Sequence, residues 1–213
     1  MMTTRPNQTT MVRRITRAYR AATPEHLAAG LGWYAEAHRV ACDIDPMNPA
    51  RAAGVLAALS PRCQWSTNVA WARAMVACAD AGLPCPPCGT MDNRATAWRI
   101  AQGAEPLAAL GTLSRTGRVQ SGMKVRSFFR NIMGDTDAVT CDVWAAKVAT
   151  GSASETLVGS PVGYARLAEA FTRAASILGV TPREVQAATW VAARGIKPTD
   201  AGFHAAAAAM VSA

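Results

Sequence analysis

The chain has 213 residues, half of them hydrophobic and only 17% charged, with a formal net charge of +8 and a pI near 9.7. That is enough residues to bury a sizeable core and too apolar a composition to stay disordered. The basic excess points to a polyanionic partner, nucleic acid ahead of an anionic membrane, and the longest apolar run, near residues 52–59, is far too short to span a bilayer.

In chain order, residues 1–10 are polar and read as disordered, inside a basic N-terminal segment 1–22 that carries Arg13, Arg14, Arg17 and Arg20. Thr23-Pro24-Glu25 reads as an N-cap with proline at the first helical position, opening a helix through Trp33, Tyr34, Ala37 and Val40. Asn48-Pro49 repeats the signal for a helix through Leu59. Ser66 is a candidate cap for a helix ending near Gly82, and another helix runs from about Asp92 to Gly103. Between Gly122 and Gly134, Val125, Phe128, Phe129 and Ile132 fall at i, i+3, i+4 and i+7, a helical stripe. Asp142 can open a short helix through Val148. Ser160-Pro161 starts a helix ending at Gly179, and Thr181-Pro182-Arg183-Glu184 is a capping box leading to Trp190. The tail 201–213 is Ala-rich and reads as a frayed last helix, leaving 23–200 as the main domain. No useful stretch alternates with period two, so the predicted class is all-α.

Six cysteines occur without a secretory signal, so free thiols and a cytoplasmic location are expected. Cys85-Pro86-Pro87-Cys88 is a lone CxxC that lacks the further ligands of a zinc site, and it reads as a loop with two ordinary thiols. No metal is expected.

Lysine occurs only at Lys124, Lys147 and Lys197. Lys124 lies one turn before Phe128, at the border of an apolar face, where partial desolvation favours the neutral, nucleophilic amine. It reads equally as a snorkelling surface lysine. Asp142 stands where a helix begins and reads equally as an ordinary N-cap.

Several segments together tip that balance. Gly122-Met123-Lys124, with Asp142 eighteen residues after the lysine, is joined by Gly54 to Ser60 followed by Asn68, by Gly89 to Ala95, and by Gln186 to Gly195 with Trp190. In order and spacing these segments resemble the endonuclease III branch of the helix-hairpin-helix (HhH-GPD) DNA glycosylases, from about residue 50 to 195. The chain is similar in particular to small glycosylase-like proteins of bacterial viruses. It departs from the family pattern at the hairpin. There Arg118-Val119-Gln120-Ser121-Gly122 stands for Leu-Pro-Gly-x-Gly. It departs again at Val143-Trp144, where the family often has Thr-His. No cysteine follows Cys141, so the resemblance implies neither an iron–sulfur cluster nor any other cofactor.

The resemblance implies two helical lobes around a DNA cleft and a monomer acting on double-stranded DNA. It implies a base-excising glycosylase with AP-lyase activity. Lys124 would be the Schiff-base nucleophile, and Asp142 the carboxylate that stabilises charge at C1′. The flipped-out base would be replaced in the stack by Gln64 or Arg62. Backbone N–H groups of Ser121, Gly122 and Met123 would hold phosphate, with Arg94, Arg118 and Arg126 as charge partners. Arg126 reads equally as part of a solvated helix face. His38, Trp33, Tyr34 and Trp144 are the candidate base pocket, although His38 also reads as a satisfied, half-buried histidine. Two other readings stay open: an enzyme that modifies a base in place on the same scaffold, and a non-catalytic DNA-binding module.

Overall fold

A computed structural model describes residues 7–111, 121–197 and 200–213. The described residues are helical, with no strand among them: α1 (Gln8–Arg20), α2 (Pro24–Ile44), α3 (Pro49–Leu59), α4 (Trp65–Asp80), α5 (Met91–Ala101), α6 (Pro106–Ala109), α7 (Met123–Ile132), α8 (Val143–Thr150), α9 (Glu155–Gly159), α10 (Pro161–Leu178), α11 (Pro182–Arg194) and α12 (Ala201–Ser212).

Most boundaries follow from local chemistry. The side chains of Thr23, Asn48, Ser160 and Thr181 accept backbone N–H bonds at four helix starts, each followed by proline at the first turn. At Thr181 the full capping box is present, with Glu184 accepting from the Thr181 backbone at 2.8 Å.

Three expectations are corrected. The N-terminal segment is ordered from Asn7, whose side chain caps α1 by accepting from Thr10 N. Met11, Val12 and Ile15 are buried, so this basic helix has an apolar inner stripe that the polar start of the segment conceals. The helix expected from Ser66 begins at Trp65, with Gln64 in the cap position and no side-chain cap bond. Burial of Trp65 against Trp33, ring centroids 5.7 Å apart, fixes that end in place of a cap. The Ala-rich tail is a packed helix, with His204 and Ala207 buried.

The α12 helix lies so close to α2 that a Cβ on Gly32 would come within 1.7 Å of the Ala207 carbonyl oxygen. Gly32→Ala therefore must push α12 away. The expected cost is about 1–3 kcal/mol, read as a lower thermal midpoint with faster proteolysis of the C-terminal helix.

The buried residues form two clusters. One is centred on α2, α3, α4, α5 and α7, and includes Trp33, Leu56, Met75, Ile100 and Phe128. The other is centred on α1, α8 and α10, and includes Ile15, Ala146, Leu167 and Phe171. Helix α11 serves both, with Ala187 in the first and Val185 in the second. Among the described residues, no helix is long and apolar enough to cross a membrane.

Candidate active site

A cleft of about 570 Å³ opens where the two clusters meet. Its walls come from α2, the 60–64 loop, α4, α7, the 140–142 segment, α8, α9 and α11. Both Lys124 and Asp142 line it.

Asp142 is the N-cap of α8, as the sequence suggested. Its Oδ1 accepts from Trp144 N and Ala145 N, both at 2.9 Å. Its other oxygen has a separate partner: Trp190 Nε1 donates to Oδ2 at 3.0 Å. Three N–H donors from two helices thus fix the carboxylate at the cleft wall. A plain cap would need only the first two.

Lys124 is the second residue of α7, and the start of that helix sets its place. Gly122, the N-cap residue, has φ +70. A Cβ there would fall 2.5 Å from the Leu110 carbonyl oxygen, and the facing Gly111 is equally crowded by Ser121 O at 2.3 Å. Only glycine meets both demands. Gly122→Ala is expected to cost about 1–3 kcal/mol, measured as a fall in thermal midpoint of about 2–4 °C per kcal/mol.

Lys124 is half-buried and makes no hydrogen bond or ion pair among the described residues. Burial pushes its amine below the ordinary lysine value, and the Asp142 carboxylate partly opposes that shift. Burial acts the other way on the thiols in the same cleft. It raises Cys63, and it raises Cys141 well above the usual range, where Asp142 adds to the effect. Burial therefore selects among the nucleophiles of this cleft: it keeps the sulfurs protonated and inert and makes the amine easier to deprotonate.

Aromatic side chains dominate the rest of the lining. Trp33, Tyr34, Trp65, Phe128, Trp144 and Trp190 all face the cleft. Trp33 stands at the centre of the cluster, with ring centroids 4.9 Å from Trp190 and 4.2 Å from Phe203, which α12 supplies from behind. At the buried end, Tyr34 Oη donates to Gln186 Oε1 at 2.8 Å, which leaves the Gln186 amide nitrogen without a partner among the described residues. Asn68 Nδ2 donates to Leu56 O at 3.0 Å, and its Oδ1 is buried with no partner among the described residues. The cleft therefore offers one unused donor as well as flat apolar walls, while the orphan Asn68 oxygen is sealed behind them.

At the mouth, Arg62 has φ 58, a left-handed backbone rarely adopted outside glycine. Its exposed side chain reaches Glu155 on α9 at 3.5 Å, and Gln64 is exposed beside it. Such an exposed pair contributes about 0–1 kcal/mol, so it yields readily to a ligand.

The structure brings Trp33, Tyr34, Trp144, Arg62, Gln64, Lys124 and Asp142 to one cleft. Ser121, Gly122 and Met123 stand at the start of α7, outside its lining. His38 is corrected as a pocket residue: its Nδ1 meets Ile132 O at 3.1 Å and its Nε2 meets Cys42 Sγ at 3.5 Å, so the ring is satisfied between α2 and the end of α7. Arg126 is also engaged elsewhere, donating to Leu107 O of α6. Arg94 lies near Cys85 and Cys88, away from the lining. Arg118 lies outside the described residues. Sequence reasoning missed Gln186, Glu155, Arg194 and Lys197 as cleft residues. No local spacing links them to Asp142; the scarcity of lysine was the one signal that could have marked Lys197.

A model for a family of unknown function, DUF7178, matches residues 1–197. The chain belongs to the DUF7178 family. No curated protein and no solved structure matches it. The DUF7178 match takes in every residue that lines the cleft and ends before α12, the helix that backs Trp33.

Proposed function

We propose that the chain acts on DNA as a base-excising glycosylase with AP-lyase activity, using Lys124 and Asp142. The observation that carries this reading is the pairing of a desolvated, unpartnered amine with a fixed carboxylate in one aromatic-lined cleft. The net charge of +8 fits a polyanionic partner. A nucleobase cannot be reached inside the stack, so the nucleotide has to swing out into the cleft. There its faces meet tryptophan rings, and its edge meets the free Gln186 donor.

In the proposed reaction Lys124 Nζ bonds to C1′ as the C1′–base bond breaks. The base leaves with the bonding electrons and takes up a proton. Asp142 offsets the positive charge that develops on the sugar. The sugar opens to an imine on Nζ, loses a proton from C2′ and expels the 3′ phosphate, which nicks the strand. Cys63 and Cys141 stay protonated and take no part.

Mass analysis of DNA incubated with the protein tests the class of reaction. A free base with a nicked strand supports excision. An added mass on an intact strand would replace excision with in-place modification, and unchanged DNA that is tightly bound would leave a binding module.

A further inference from the structure

A second depression, of about 500 Å³, lies between α1 and α10 and shares no lining residue with the cleft. Arg13, Arg17 and Arg20 line it from α1, and Arg173 lines it from α10. The three α1 arginines fall at i, i+4 and i+7, so they share one helix face. All three are exposed, and their guanidinium groups make no ion pair or hydrogen bond among the described residues. Among the described residues Arg173 reaches only Glu169 of its own helix, at 3.8 Å. Arg14 is different: it turns to the other side and donates to Thr150 O at the end of α8. Thr16, also in the groove, is 8% exposed, and its sealed hydroxyl has no hydrogen-bond partner among the described residues.

Like charges at helical spacing repel, and a buried unpaired hydroxyl is unfavourable, so the free groove is a costly arrangement. An anion held between the arginines relieves the repulsion. We propose that this groove binds the phosphate backbone of a nucleic acid. Arg13 to Arg20 spans about 10.5 Å at 1.5 Å per residue, and one strand of a duplex carries a phosphate about every 3.4 Å of axis. The strand winds about that axis, so its phosphates lie farther apart in space than the rise, and the three long α1 side chains can meet about two to three of them, with Arg173 approaching from the other wall. Among the described residues, no aromatic side chain, which would favour a lipid interface, lines the groove. The proposal goes beyond the chemistry of the cleft and stands whether or not Lys124 forms a covalent adduct.

The test is the salt dependence of binding of the full chain to a short undamaged duplex, followed by fluorescence anisotropy. In the variant Arg13→Gln/Arg17→Gln/Arg20→Gln, the slope of log K against log salt should become shallower by about 2–3, at roughly 0.9 for each phosphate no longer neutralised. Arg173→Gln should lower it by about 1. Thr16→Val, which removes only the sealed hydroxyl, should raise the thermal midpoint by a few degrees and leave the salt slope unchanged. Adduct formation at saturating abasic DNA reads the cleft separately and should not change in any of these variants. Unchanged slopes in both arginine variants, with helix content intact, overturn the proposal. So does loss of binding to anionic vesicles with the DNA slope unchanged.

Discussion

Strand scission at an abasic site should disappear in Lys124→Ala, by at least on the order of 10³-fold, while affinity for the same DNA is retained. The expectation rests on the one cleft nucleophile whose burial favours its reactive form. Lys197 is the proper control. It lines the same cleft but is exposed, so Lys197→Ala should nick abasic DNA at close to the wild-type rate. The pH dependence follows from the sign of the shift. In the proposed reaction only the neutral amine can attack C1′, and burial lowers the Lys124 value, so more amine is neutral at any given pH. Scission should therefore rise with pH and level off below about 10.4, the ordinary lysine value. A rise that continues through that value would mean an exposed lysine is responsible.

Asp142→Asn is expected to slow base release by about 10²–10³-fold, the scale seen when a preorganised electrostatic partner is removed from a reacting centre. Asparagine keeps an oxygen for the Trp144 and Ala145 N–H groups, so α8 keeps its cap. What changes is the charge, together with the bond from Trp190 Nε1, which then meets an amide NH₂ instead of an acceptor. That mismatch should cost about 1–3 kcal/mol of stability, read in the thermal midpoint. Asp142→Ala is the less informative variant because it also removes the cap, worth about 0.5–2 kcal/mol. Single-turnover release of the base, followed at saturating enzyme, separates the chemical effect from any change in binding.

The all-α class was legible because the capping signals are local. Thr23, Asn48, Ser160 and Thr181 each act within their own first turn, and the Phe128–Ile132 stripe needs only its own helix. Elements held by tertiary packing were not legible. Helix α1 starts in a run of polar residues and is ordered by burying Met11, Val12 and Ile15 against α8 and α10. Helix α12 is so uniformly alanine that no stripe marks its inner face, and its docking depends on Gly32, far earlier in the chain. At the site, Lys124 and Asp142 could be singled out by type and spacing. The bond from Trp190 could not, because it joins residues 48 apart. His38 misled for the converse reason: beside Trp33 and Tyr34 in sequence, it turns to the Ile132 carbonyl and Cys42 instead of the cleft.

The most direct measurement is borohydride reduction of the protein with duplex DNA carrying an abasic site, followed by mass mapping of the adduct. The expected result is one covalent adduct on the peptide containing Lys124, absent in Lys124→Ala and preserved in Lys197→Ala. No adduct despite tight binding, or an adduct that survives Lys124→Ala, would contradict the assignment of Lys124 as nucleophile.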